Sequence, residues 1–482
     1  MQSHKFIIIG AGMAGIVAAI KLKEAGFDSI EILEKADSLG GTWRENTYPG
    51  VACDVPSHLY SYSFELNPNW SHVFSPGSEI LNYFKEISKK YEVDDLIKYN
   101  QEVTSAHFNG NEWEVKTSSG YAISAEYLIG ATGVLHHPKY PDIKGIESFK
   151  GAMFHSSRWD HEIDLAPLRV GVIGSGSTGV QIVSELSTRV KSLTLFQRTP
   201  QWIFPQFNPE YSPHDIEAFT SDPKKMQEHR ELMATVFTEG FSNAVVDADS
   251  PQMKAIEETC LQNLESSIKD PELKEMLRPN YRAACKRLVI SGAFYEAMNR
   301  PNVNLECGGI KEIVENGVKL EDGSVVELDV LVLATGFKAD VFLRPMEVST
   351  CEGKSLDMAW KSRPEAYLAE TVPGFPNLFL LNGPNGPVGN FSLIDVAELQ
   401  VDYLLKLISH IDSNGFKKVM PTQAALEEFE AQRVEAAKKT VWVTGCRSWY
   451  LDDRGIPAAW PWPFDRFRQV MSEPDYSAFT FS

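Results

Sequence analysis

Closely spaced cysteines are missing from this sequence: Cys53, Cys260, Cys285, Cys307, Cys351 and Cys446 are scattered, with no C-x-x-C pair. The expectation is therefore reduced thiols, each a small buried apolar side chain, with no metal site and no redox disulfide. A basic surplus is missing too. Lys and Arg number 46 against 65 Asp and Glu, a formal charge of −19. Nucleic acid and anionic membrane surfaces need concentrated positive charge, so neither is expected as a partner. Long apolar runs are also lacking. The run Phe6–Ile9 is broken by Gly10, Gly12 and Gly15, too soon for a signal peptide or a membrane span, and a cytoplasmic protein is expected. No segment is of low complexity. What remains is a chain of 482 residues with globular composition, 43% hydrophobic and 23% charged, long enough for two or three domains.

Apolar periodicity shows the same unit twice. Lys5–Ile9 reads as a strand, Met13–Glu24 as a helix and Ser29–Leu33 as a second strand. The pattern returns as strand Arg169–Ile173, a turn over Gly174–Gly179, a helix through Leu186 and strand Ser192–Phe196. Two such units predict an α/β protein with two Rossmann-like, dinucleotide-binding domains on mostly parallel sheets. Residues 209–284 look like a helical insertion in the second domain, with Leu232 and Val236, and Met233 and Phe237, spaced as a buried face. Strand-like segments follow at Val303–Leu305 and Val325–Leu333, then loops and a helix near Glu398–His410. The expected boundaries are residues 1–141 and 340–482 for the first domain, 142–208 and 285–339 for linker and second domain.

Each unit carries a glycine fingerprint. In the first, Gly10 permits the tight turn, Gly12 admits a pyrophosphate and Gly15 lets helix pack on strand; the helix N-terminus then binds the phosphates. Glu34 ends the second strand, where an acid holds a ribose hydroxyl. The second fingerprint is Gly174, Ser175, Gly176, Ser177, Thr178 and Gly179, and its second strand ends in Arg198 and Thr199. A cation there suits a 2′-phosphate, which points to NADP over NAD. Two Ala-Thr-Gly strand ends, at 131–133 and 334–336, fit an architecture holding FAD in one domain and NADP in the other.

Rarer residues narrow the chemistry. Phe149, Gly151, His155, Trp159 and Asp160 match F-x-G-x-x-x-H-x-x-x-W-[PD]; Gly40-Gly41-Thr42-Trp43, Tyr48-Pro49-Gly50 and Asp54 match a second motif. With Ser448-Trp449-Tyr450, these give the chain, over nearly its whole length, a resemblance to the type I Baeyer–Villiger monooxygenases. The resemblance implies an FAD enzyme that consumes NADPH and O2 and turns ketones into esters or lactones through a flavin peroxide. It implies catalytic roles for Asp54 and Arg287, and cofactor contacts at Gly41, Thr42, Trp43 and Asp54. Lys286 with Arg198 and Thr199 would hold the 2′-phosphate, and Trp449 would lie near the nicotinamide. His155 and Trp159 would belong to a linker supporting domain movement.

The physical task of Arg287 is to stabilise a peroxide anion and the oxyanion of its ketone adduct, because a guanidinium stays charged at neutral pH. Asp54 would orient it and offset its charge. An enzyme oxidising sulfur or nitrogen is the alternative, but it needs no such pair and lacks the linker tryptophan. A flavin disulfide reductase needs two neighbouring cysteines, and Cys53 stands alone. A non-catalytic nucleotide-binding redox sensor is disfavoured by Asp54 and Arg287. Trp460-Pro461-Trp462-Pro463-Phe464 fits either substrate lining or packing. Ketone identity and oligomeric state stay open.

Overall fold

The structure, a computed structural model, describes residues 2–389 and 391–482. Its first sheet has eight strands among the described residues. Gln2–Ile9 lies centrally, parallel to Ile30–Leu33 on one side and to Ala122–Gly130 on the other. Phe6, Ile7 and Ile8 are wholly buried, as a central parallel strand covered on both faces requires. Helix Met13–Glu24 follows and packs against the long helix Leu393–Asn414. Late segments join this sheet: Glu347–Thr350 pairs with Val103–Phe108, and Leu378–Leu380 with Ala122–Gly130.

The second sheet runs Val303–Glu306, Ser192–Phe196, Arg169–Ile173, Val330–Leu333 and Ala152–His155, every neighbouring pair parallel. The α/β class with two Rossmann-like sheets is thus present. The apolar run expected as one strand, Val325–Leu333, divides. Val325–Glu327 belongs to a small antiparallel sheet, and only Val330–Leu333 enters the parallel one. Among the described residues no helix is long and apolar enough to cross a membrane.

Helices Pro213–Ser221, Pro223–Phe237, Pro251–Ser267 and Pro271–Met276 fill the stretch read as helical. The face assigned to its core needs correction. Leu232 is 55% and Val236 59% exposed, while Met233 and Phe237 are partly buried. This helix is anchored through other residues: Met226 is buried, and Arg230 donates to Asp395 at 2.6 Å. Spacing alone could not tell which of two apolar pairs faced inward.

The thiol expectation is also corrected. Cys285 and Cys446 form a disulfide across a sequence separation of 161; of the four free thiols Cys53 and Cys260 are buried as expected, but Cys307 and Cys351 are exposed. Local spacing carries no signal for a pair that only folding brings together. Trp460, Trp462 and Phe464 are buried in the main apolar core with Phe429 and Phe467, so that aromatic stretch is packing.

Candidate active site

Both glycine loops have the geometry their sequences demand. Gly10 has φ +106°, and a Cβ on it would lie 2.6 Å from the Ala131 carbonyl oxygen, so the first Ala-Thr-Gly strand end closes against the loop. Gly174 repeats this against Ala334 at 2.3 Å, with φ +114°. At Gly15 and Gly179 a Cβ would fall 1.9 Å from the carbonyl oxygens of Gly10 and Gly174, which is why helix and strand can pack so closely. The middle glycines face space. A Cβ on Gly176 would meet nothing within 4 Å, and one on Gly12 only Gly41, at 3.6 Å.

Helices Met13–Glu24 and Ser177–Leu186 begin at Gly12 and Gly176 without any side-chain cap. Their first N–H groups are thereby left for an anion, and both cradles fit a pyrophosphate. Glu34 is buried, with Oε2 accepting from Ala11 N at 2.8 Å and Oε1 from Ala36 N at 3.0 Å; Arg44 pairs with Oε1 at 3.1 Å. Oε2 keeps a lone pair for a ribose hydroxyl. Gly41, with φ +53°, starts the short helix Thr42–Glu45; Thr42 is exposed and Trp43 buried.

At the second loop, Ser175 Oγ donates to the Thr199 carbonyl at 2.9 Å. Thr178 stands beside the Tyr48 hydroxyl. Arg198 is exposed, and Lys286, partly buried, lies 4.6 Å over the Tyr281 ring. Burial and the positive charge of Arg198 hold the Lys286 ammonium below its usual pKa. Among the described residues neither cation forms an ion pair, so two adjacent charges await an anion.

Asp54 sits between the loops because residues 48–54 run across the second-loop helix. The Tyr48 hydroxyl donates to Gln181 Oε1 at 2.7 Å, and Gln181 Nε2 to the Ala52 carbonyl at 3.0 Å. Burial raises the Tyr48 pKa to about 12, so this hydroxyl stays protonated. Arg287 Nη2 donates to Asp54 Oδ2 at 2.5 Å, and Nη1 to the Gly389 carbonyl at 2.7 Å. Burial disfavours the guanidinium charge, but Asp54 and the neighbouring Tyr450 hydroxyl outweigh it and raise its pKa. The residues form a chain of contacts from one cradle to the other. Trp43 Nε1 donates to the Tyr60 hydroxyl at 3.3 Å, and Tyr60 is close enough to Asp54 and Arg287 to feel both charges. Lys286, beside Arg287 in sequence, then leads to Arg198.

Arg287 is thus a fixed cation between the two glycine-loop cradles. The sequence family described as Pyridine nucleotide-disulphide oxidoreductase matches residues 7–260. An uncharacterized monooxygenase of Mycobacterium tuberculosis is 42% identical over 467 residues, 96% of this chain and 93% of that one. A Streptomyces coelicolor protein named Baeyer-Villiger monooxygenase is 36% identical over 489 residues, 99% of this chain and 93% of that one. The chain belongs to the Baeyer–Villiger monooxygenase family. Among solved structures, a complex of OTEMO with FAD and NADP superposes with a TM-score of 0.88 at 27% identity, covering 99% of each chain. The broader description as a disulphide oxidoreductase does not bring its thiol chemistry with it. Cys53 is buried beside Asp54 with no second cysteine near in sequence, and burial drives its thiol pKa up.

As a member of this family the chain shows which of its expected site residues meet. Asp54 and Arg287 are bonded, and Trp449, 48% exposed, lies 4.1 Å from the Tyr450 ring beside them. His155 instead bonds the Gly336 carbonyl at 3.0 Å and the Ser157 hydroxyl at 2.9 Å, at the edge of the second sheet. Tyr60, Gly389, Gln181 and Tyr450 had no assigned part in the sequence reading. Tyr450 was part of the Ser448-Trp449-Tyr450 motif but without a role; the other three gave no sequence signal, since their roles depend on a carbonyl or on a partner far along the chain.

Proposed function

We propose that this chain is an FAD-dependent Baeyer–Villiger monooxygenase that uses NADPH and O2 to convert ketones into esters or lactones. The observation carrying this reading is Arg287, a permanent cation fixed by Asp54 at the meeting of the two dinucleotide cradles. When bound, FAD and NADPH supply the electrons and the oxygen activation. The Gly12 cradle and Glu34 would hold FAD, with Gly41, Thr42 and Trp43 flanking it. The Gly176 cradle would hold NADP, with Arg198, Thr199 and Lys286 taking its 2′-phosphate and Trp449 covering the nicotinamide side.

Arg287 stabilises negative charge developing on the ketone oxygen as the carbonyl is attacked. Asp54 holds the guanidinium in direction and offsets part of its desolvation cost. Residues 1–141 with 340–482 would form the FAD domain, residues 142–208 with 285–339 the linker and NADP domain, and residues 209–284 its helical insertion.

The test is turnover with NADPH, labelled O2 and a panel of cyclic, linear and aromatic ketones, followed by product analysis. Esters or lactones carrying one atom of label are expected. NADPH consumption indifferent to every ketone, with thioethers or amines oxidised instead, would overturn the reading.

A further inference from the structure

Besides Asp54 and the Gly389 carbonyl, Arg287 has the Tyr450 hydroxyl as a polar neighbour. Tyr450 is 3% exposed, its ring 4.1 Å from that of Trp449 and 5.3 Å from that of Trp442. Gly389 shows how tightly its tip is seated. A Cβ on Gly389, whose φ is +93°, would fall 2.1 Å from the Tyr450 hydroxyl oxygen, and the carbonyl of this same glycine accepts from Arg287. Only glycine leaves room there for both tyrosine and arginine.

The segment carrying Tyr450 is fastened at both ends. Before it, Cys446 is bonded to Cys285, which stands two residues ahead of Arg287. After it, Ala458 N donates to the Tyr450 carbonyl at 2.7 Å, and Leu451 bridges Pro457. Arg433, fully buried, donates to the Pro457 carbonyl and is itself held by Glu430 at 2.7 and 2.8 Å. The disulfide thus ties the backbone that presents Arg287 to the backbone that presents Tyr450.

Charge explains why a tyrosine suits this place. Asp54 already offsets the guanidinium, and a second anion would cancel the field that the reaction needs. A hydroxyl contributes a hydrogen-bonding contact without net charge, and burial keeps this one protonated. We propose that Tyr450 is a positioning residue of the oxygenation step, its hydroxyl holding Arg287 in the orientation that faces the substrate. This rests on the Baeyer–Villiger reading given above.

The experiment compares Tyr450→Phe, Tyr450→Ala and wild-type holoenzyme, each with its flavin content measured. Three quantities are followed: anaerobic flavin reduction by NADPH from its absorbance, ester formation, and hydrogen peroxide release. Losing a polar contact with a charged group predicts a fall of about 10- to 100-fold in kcat for ester formation in Tyr450→Phe. The KM for ketone stays within about twofold, the reduction rate is unchanged, and a larger share of NADPH electrons leaves as hydrogen peroxide. In an Arg287→Lys background, which misplaces the cation, Tyr450→Phe brings no further fall. A Tyr450→Phe enzyme equal to wild type, with Tyr450→Ala impaired, would reduce the residue to packing and overturn the proposal. So would an equal loss of reduction and ester formation in Tyr450→Phe. If wild type itself forms no ester, the functional reading fails first, and this comparison separates that failure from the other.

Discussion

Arg287 and Asp54 meet at 2.5 Å from positions 233 residues apart, one just past the helical insertion and the other just past the first glycine unit. Their bond joins segments far apart in the chain, so it forms only once the fold is assembled. Arg287→Ala should lower ester formation about 100-fold or more, the loss expected when a charge-stabilising donor is removed. Anaerobic flavin reduction by NADPH should survive, since hydride transfer does not require this cation. Rapid-mixing absorbance of each half-reaction checks this, and parallel loss of both would remove Arg287 from the role.

Arg198 and Lys286 should select the phosphorylated nicotinamide. Arg198→Ala is expected to weaken NADPH binding about 10-fold or more while leaving NADH nearly unaffected. Titration of both nucleotides measures the change in preference.

The same cation pair sets a pH dependence. Lys286 is held below its ordinary pKa by burial and by Arg198, and a bound 2′-phosphate would restore proton affinity. Binding therefore takes up a proton, and NADPH affinity falls as pH rises through the lowered Lys286 pKa. Lys286→Arg, which stays charged, should flatten that decline. An unaltered slope would show that Lys286 does not meet the phosphate.

Thiol titration of the denatured, unreduced protein should find four free cysteines, rising to six after reduction. Cys446→Ala should cost about 2–5 kcal/mol of stability, in line with the loss of other long-range disulfides. Six thiols before reduction would rule the bridge out of the protein in solution.

Glu370 is fully buried, and neither carboxylate oxygen has a hydrogen-bond partner. Burial alone raises its pKa well above the ordinary value. The folded state thus keeps a proton that the unfolded chain releases above about pH 4.3. Stability from this group is complete below that pH and is lost as pH rises toward the folded pKa. Glu370→Gln cannot titrate, so its stability relative to wild type should rise between pH 4 and pH 8. Urea unfolding at both values measures the difference, and parallel pH profiles would contradict it.

The parts of this protein legible in its residues are those governed by neighbours along the chain. Strands at Arg169–Ile173 and Ser192–Phe196 and the helix at Met13–Glu24 follow from apolar periodicity. Gly10, Gly15, Gly174 and Gly179 are dictated by backbone crowding within a few residues. Local pattern fell short where a choice depended on distant surfaces. It could not separate Val325–Glu327 from Val330–Leu333, nor tell that Leu232 and Val236 face outward while Arg230 reaches Asp395. Folding alone joined Cys285 to Cys446 and gathered Asp54, Gly389 and Tyr450 around Arg287. A glycine loop is set by steric contacts over a few residues, whereas a half-buried cation such as Arg287 is held by whichever acceptors the packed sheets and helices bring within 3 Å of it.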